Sequence, residues 1–216
     1  MQAELLALAK KVPSLPKTLS PTDLQDFRSR ICDAAEHMFA ERGADGVTIR
    51  ELAAEVGVSP MTPYRYFKDK DAILAAVRAR AFDRHADTLE AAFALAADTP
   101  ATRAAAVGEA YIRFAEEHPE AYKLMFDVHQ ESAKDHPDLV RAGERSRRTM
   151  TLQLSEEIEA GLPLDEAELI AHLYWAALHG PLMLQMSGML GSALSARTLI
   201  GGLMAALNEN FRAKSR

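Results

Sequence analysis

From Pro21 onward, apolar side chains recur at three- and four-residue spacing almost to the end of the chain, a period that only helices satisfy. Phe27, Ile31, Ala34, Ala35, Met38 and Phe39 draw one such stripe, which stops before Gly43. Thr48-Ile49-Arg50-Glu51 reads as a capping box that opens a second helix reaching Val56. Gly57-Val58-Ser59 turns the chain into a third helix, and Asp69 caps a long fourth one carrying Ile73, Leu74, Val77, Phe82, Leu89 and Phe93. Further helices are expected at about 101–117, 119–129, 137–160, 165–187 and 195–212, punctuated by His118-Pro119, His136-Pro137, Gly161-Leu162-Pro163 and the run from Gly188 to Ser192. Val and Ile together fill only 15 of the 216 positions, so little is left to build strands. The expected fold is all-α: an arm at 1–20, a compact head at 21–70 and a larger helical domain at 71–216.

Several function classes fall away on composition. One cysteine, Cys32, supports neither a disulfide framework nor a multi-thiolate metal site, and its expected role is buried packing. The amino terminus places Glu4 before its short apolar stretch and Lys10 and Lys11 after it, the reverse of a secretory signal, so the expected location is cytoplasmic. The uncharged run from Leu169 to Ala196 is long enough to span a bilayer, but His172, Tyr174, His179, Gln185 and Gly180-Pro181 interrupt it. A helix buried in protein or between subunits is the better reading, and no membrane partner is expected. Asp127, His129, Glu131, Asp135 and His136 lack the spacing of a metal site, and the chain has no nucleophile elbow, P-loop or dinucleotide fingerprint. Neither a metal nor a cofactor nor an enzymatic activity is expected. Arg141, Arg145 and Arg148 recur on one helix face, expected to be solvated.

Three closely spaced helices around a glycine turn form a helix-turn-helix, with Ile49, Leu52, Ala53, Val56, Val58 and Phe67 facing inward. The string from Ile31 to Leu74 adds Tyr-Arg-Tyr-Phe-Lys-Asp-Lys at positions 64–70 to that frame. Over about fifty residues it resembles the amino-terminal DNA-binding domain of the TetR (tetracycline-repressor-like) family. The resemblance implies a homodimer that reads an operator in double-stranded DNA and releases it when a small hydrophobic effector binds the larger domain. It implies DNA contacts from Thr48 and Arg50 at the start of helix two, from Ser59, Met61, Thr62, Tyr64, Arg65 and Tyr66 on or beside the reading helix, and from Lys68 and Lys70 beyond it. The side-chain chemistry suits such contacts, because hydroxyls and ammonium groups fix register on phosphates and Arg65 can donate twice to guanine. For Tyr64 and Phe67, core packing is the competing role. Pro60 and Pro63 depart from the family's pattern, because Pro63 cannot donate a helical hydrogen bond to Ser59, so a 3₁₀ or broken turn is expected here.

Trp175-Ala176-Ala177-Leu178-His179-Gly180 is similar to a Trp-x-x-x-His-Gly signature in one branch of that family. It implies an effector pocket lined by Tyr111, Phe114, Phe126, Met150, Trp175, His179 and Met183, with internal packing as the alternative. The last two long helices carry Leu173, Leu182, Leu184 and Met186, and Leu199, Ile200, Leu203 and Leu207, with Gly201-Gly202 permitting close approach. These eight residues are the expected dimer interface. The rival class is a helical small-molecule carrier or enzyme that keeps the architecture without reading DNA.

The net charge of −6 would disfavour a polyanion partner if it were evenly spread. It is not: residues 1–80 hold 12 Lys and Arg against 11 Asp and Glu, and residues 81–216 hold 13 against 20. The deficit lies outside the head, whose few cations must act as placed contacts.

Overall fold

In the computed structural model, which describes residues 21–96, 99–126 and 133–214, α1 (Pro21–Arg42) buries its stripe of Phe27, Ile31, Ala35 and Phe39. Gly43 ends it at φ 71°, a conformation glycine adopts without strain, and donates to the Phe39 carbonyl. The expected capping box opens α2 (Ile49–Glu55): the Glu51 amide donates to the Thr48 hydroxyl oxygen at 3.2 Å, and the Thr48 amide to the Glu51 carboxylate at 2.8 Å. The Thr48 hydroxyl also donates to that carboxylate at 2.7 Å, and Arg42 does so at 3.1 Å. The Thr48 bonds, ahead of Arg42, pull the Glu51 pKa from 4.5 to about 2. The lowered value means that this contribution is whole above pH 4.5 and disappears as pH falls from there toward 2. Thr48→Ala should cost about 0.5–2 kcal/mol in urea unfolding at neutral pH. The loss should shrink in acid; an equal loss at pH 2 would contradict the box.

After α2 the Val58 amide closes on the Ala53 carbonyl, with Gly57 at φ 76°. No α-helix follows. Pro63–Arg65 is a 3₁₀ turn, in which the Arg65 amide donates to Thr62 and the Tyr66 amide to Pro63. The proline spacing predicts this broken element, and the full third helix expected beside it is corrected to one turn. Asp69 then caps α3 (Lys70–Leu95), accepting from the Ala72 amide at 2.8 Å.

After α3 come α4 (Pro100–Glu117), α5 (Pro119–Met125), α6 (Pro137–Arg148), α7 (Ser155–Glu159), α8 (Leu164–Met186) and α9 (Ala196–Lys214), with no strand among the described residues; α4, α5 and α6 pack on α3, and α8 packs on α4 and α9. The helix expected over 137–160 breaks at a 3₁₀ segment, Thr149–Leu154. There the Thr149 and Thr151 hydroxyls donate to the carbonyls of Ser146 and Arg148, local bonds that compete with the helical ladder. The helix expected over 119–129 ends at Met125; the expected arm at 1–20 and residues 127–132 lie outside the described residues. No described helix is long and apolar enough to cross a membrane.

Two large apolar cores and a small one of Ala75, Ala79, Leu139 and Ala142 result among the described residues, and the head core runs past position 70. Phe27, Ile31, Phe39, Leu52 and Phe67 form the head core together with Ile73, Leu74 and Val77 of α3 and Leu124 of α5. The larger core gathers Leu89, Tyr111, Phe114, Tyr122, Met125, Leu182 and Ile200. Leu182 and Ile200 are therefore corrected from interface to interior, and Met186 packs against that same core. Leu173, Leu184 and Leu203 are exposed, while Leu199 and Leu207 are half-buried. Of the arginine face expected to be solvated, Arg141 and Arg148 are exposed and Arg145 is half-buried. Arg141 pairs with Asp83, and Arg145 with Asp83, Asp87 and Glu90, fastening α6 to α3. Arg80 with Asp33 and Arg84 with Glu36 fasten α3 to α1 in the same way.

Candidate DNA-reading surface and aromatic chamber

The head divides the ten residues expected at DNA into two sets. Arg50, Ser59, Met61, Tyr64, Arg65 and Lys68 are exposed; Met61 is 69% and Tyr64 50% accessible, which sets Tyr64 apart from the core. Among the described residues neither Arg50 nor Arg65 makes an ion pair, so both guanidinium groups are available to phosphates or base edges. The other set holds the frame. Thr62 is buried, its hydroxyl 2.8 Å from that of Ser59. The Tyr66 ring lies on Phe27 with centroids 4.3 Å apart, its hydroxyl is buried, and its carbonyl accepts from Arg28. Lys70 donates to the Ala44 carbonyl at 2.6 Å, closing the turn between α1 and α2, and the exposed Thr48 spends its hydroxyl hydrogen on Glu51. Thr48, Thr62, Tyr66 and Lys70 each make a bond or ring contact that shapes the head. With one 3₁₀ turn in place of a helix, positions 62 and 63 are buried and 66 half-buried, while 61, 64 and 65 are exposed.

In the second domain, α3, α4, α5 and α8 converge on a cluster of rings. Trp175 and His179 share one face of α8, their rings 5.4 Å apart, and Phe126 meets both. Trp175 can only donate, so its Nε1–H, 2.8 Å from the Tyr111 oxygen, fixes the direction of that bond. The Tyr111 and Tyr122 hydroxyls lie 2.7 Å apart, and His179 Nδ1 lies 2.7 Å from the Tyr122 oxygen and 3.3 Å from that of Tyr111. Burial lowers the pKa of His179. Burial likewise pushes both phenol pKa values well above the ordinary range. His179 meets a pair of tyrosine hydroxyls. Tyr111 and Phe114 are wholly buried; Phe126, Trp175, His179, Met150 and Met183 are half-buried.

Three members escaped the sequence reading. His85, on the buried face of α3, has Nδ1 at 2.9 Å from the Ser146 hydroxyl and meets the rings of Tyr111 and Phe114 edge-on. A histidine inside the Phe82–Leu89 stripe was the available signal for it. Tyr122 and Ser146 carried none beyond their own polarity. Burial lowers the His85 pKa from 6.5 to about 4. Because the unfolded chain takes up the proton first, stability is whole above pH 6.5 and falls as pH drops toward 4, by about 3 kcal/mol. Denaturant midpoints across that window should show the slope in the wild type and lose it in His85→Phe; parallel slopes would count against a neutral buried His85. Among the described residues no three His, Cys, Asp or Glu side chains gather as metal ligands.

A glycine-turned pair of short helical elements, presented by a long helix that runs on into a separate helical core, defines a helix-turn-helix protein. The chain belongs to the TetR family: residues 31–77 match its bacterial regulatory proteins, tetR family domain, and residues 104–207 match a tetracyclin repressor-like C-terminal domain. It is 33% identical over 117 residues to the HTH-type transcriptional regulator BetI of Brucella anthropi, a match covering 53% of this chain and 59% of that one. The BetI regulator of Rhizobium meliloti is 31% identical over 156 residues, covering 71% and 74%. A solved structure from Rhodococcus sp. RHA1, described as a protein of unknown function, superposes with a TM-score of 0.70 at 30% identity, covering 93% of this chain and 98% of that one. The chain spans about 59% of the length of the first curated relatives it matches.

Proposed function

We propose that this chain is a ligand-responsive transcriptional repressor whose head binds operator DNA through Arg50, Met61, Tyr64, Arg65 and Lys68. A small hydrophobic effector seated among Phe126, Trp175, His179 and Met183 releases it. One observation carries the coupling: α5 belongs to both cores. The Tyr122 hydroxyl sits in the polar network of the aromatic chamber, and Leu124, two residues on, lies in the head core. Arg78 of α3 donates to the carbonyl of the next residue, Met125, and Glu120 of α5 reaches His37 of α1. A ligand that shifts Tyr122 therefore moves α5 against α1, and it favours release only by binding the shifted state better.

The exposed leucines 169, 173 and 184 of α8 and Leu203 of α9, beside Gly201 and Gly202, support pairing of two copies about a twofold axis. Such a dimer holds its heads about 34–36 Å apart, one turn of DNA. A mobility-shift titration against DNA from the protein's own promoter region, at two salt concentrations, tests the reading. Binding of two chains per site that weakens steeply with salt is expected. No preference for that DNA over an unrelated fragment would instead favour a carrier that does not read DNA.

A further inference from the structure

The aromatic chamber has used up most of its hydrogens. That of Trp175 goes to Tyr111, and the Tyr111 and Tyr122 hydroxyls and His179 Nδ1 bond among themselves. Two imidazoles keep an Nε2 with no hydrogen bond among the described residues. One is His179, at the half-buried edge. His85 is the more telling, because it is 2% exposed and its Nε2 has no hydrogen-bond partner.

The Ser146 hydroxyl decides which atom that nitrogen carries. If Ser146 donates to Nδ1, one group stays unsatisfied, the Nε2–H. If Nδ1–H donates to Ser146, two stay unsatisfied, the hydroxyl hydrogen and the Nε2 lone pair, since the Ser146 hydroxyl has no other partner among the described residues. The first arrangement leaves fewer buried polar groups unmet, so His85 presents a donor to the interior.

On the reading of this chamber as the effector site, we propose that the effector is an uncharged, largely apolar molecule carrying a carbonyl or ether oxygen that accepts from Nε2–H of His85. The surrounding rings supply the apolar fit, and the donor supplies the selection. An anion fits poorly: it would exchange its hydration for one neutral donor, while the nearest buried cation on that helix, Arg78, is bonded to the Met125 carbonyl. A hydrocarbon of the same shape leaves His85 as unsatisfied as before.

Acetophenone, ethylbenzene and benzoate share a ring and differ at this one feature, so calorimetric titration of the full chain with each tests the idea. Acetophenone should bind about tenfold more tightly than ethylbenzene, and benzoate no better than ethylbenzene. His85→Phe should erase the ketone's advantage and leave ethylbenzene within about threefold. Ser146→Ala, which frees the tautomer without touching the ring, should reduce the advantage severalfold. Nitrogen-15 spectra of the histidine rings should report the hydrogen of His85 on Nε2. Equal affinities for ketone and hydrocarbon, an advantage that survives both substitutions, a hydrogen on Nδ1, or binding of none of the three overturns the proposal. Operator binding by the same preparation is measured alongside: if it persists while the probes fail, the effector chemistry is wrong and the repressor reading stands. If it is absent, the repressor reading itself falls.

Discussion

Arg65→Ala should remove specific operator binding while leaving the fold intact. Arg65 closes the 3₁₀ turn, is exposed, and has no ion pair among the described residues, so truncating it leaves nothing buried unsatisfied. A bidentate contact of arginine with a base pair contributes about 1–3 kcal/mol of discrimination. A dimer loses it at both heads, so the operator constant should weaken by about a hundredfold or more. Arg65→Lys separates charge from geometry: it should keep the salt-dependent background and lose most of the preference for the operator. Lys70→Ala is the informative contrast, since Lys70 holds the Ala44 carbonyl; its melting temperature should fall before its DNA contacts are in question. Fluorescence anisotropy on operator and scrambled fragments, paired with melting curves, checks all three. An Arg65→Ala protein that binds the operator as tightly as wild type would remove Arg65 from the reading surface.

Leu124→Ala should have the largest effect on stability and should also disconnect the two halves. Leu124 is 4% exposed inside the head core although it belongs to a helix of the C-terminal domain. Truncating a buried leucine costs about 2–5 kcal/mol, depending on how far the site collapses. Here the cavity opens at the junction of head and sensor. The expected result is a lower and less cooperative unfolding transition, with operator binding that no longer responds to whatever compound releases the wild type. Leu124→Met, close in volume, should restore both. If the alanine variant retains full ligand response at reduced stability, α5 does not carry the signal.

The helical plan was legible because its signals are local. The Thr48-to-Glu51 box, the Asp69 cap and the glycine turns each act within four residues, and each appears where the sequence places it. The prolines at 60 and 63 likewise announced the broken turn. Side-chain direction was harder to read, because Tyr66 and Lys70 have the chemistry of DNA contacts and only three-dimensional neighbours, Phe27 and Ala44, engage them. The same holds for Leu182 and Ile200: apolar residues on an apolar helix face the core or a partner with equal plausibility until the packing is known. The Arg145 network and the His85–Ser146 pair join residues 55 to 62 positions apart, a separation at which no spacing rule operates.

The single 3₁₀ turn that stands in for a reading helix limits how much sequence one head can distinguish. Met61, Tyr64 and Arg65 are the side chains it turns outward, enough to distinguish about three or four base pairs. A word of four letters recurs by chance about once in every 256 base pairs, so a lone head would find thousands of equivalent addresses on a bacterial chromosome. In the dimer proposed above, two heads at fixed separation square the odds, to about one in 65,000. For that dimer, selectivity depends on the distance between the heads at least as much as on the letters either one reads.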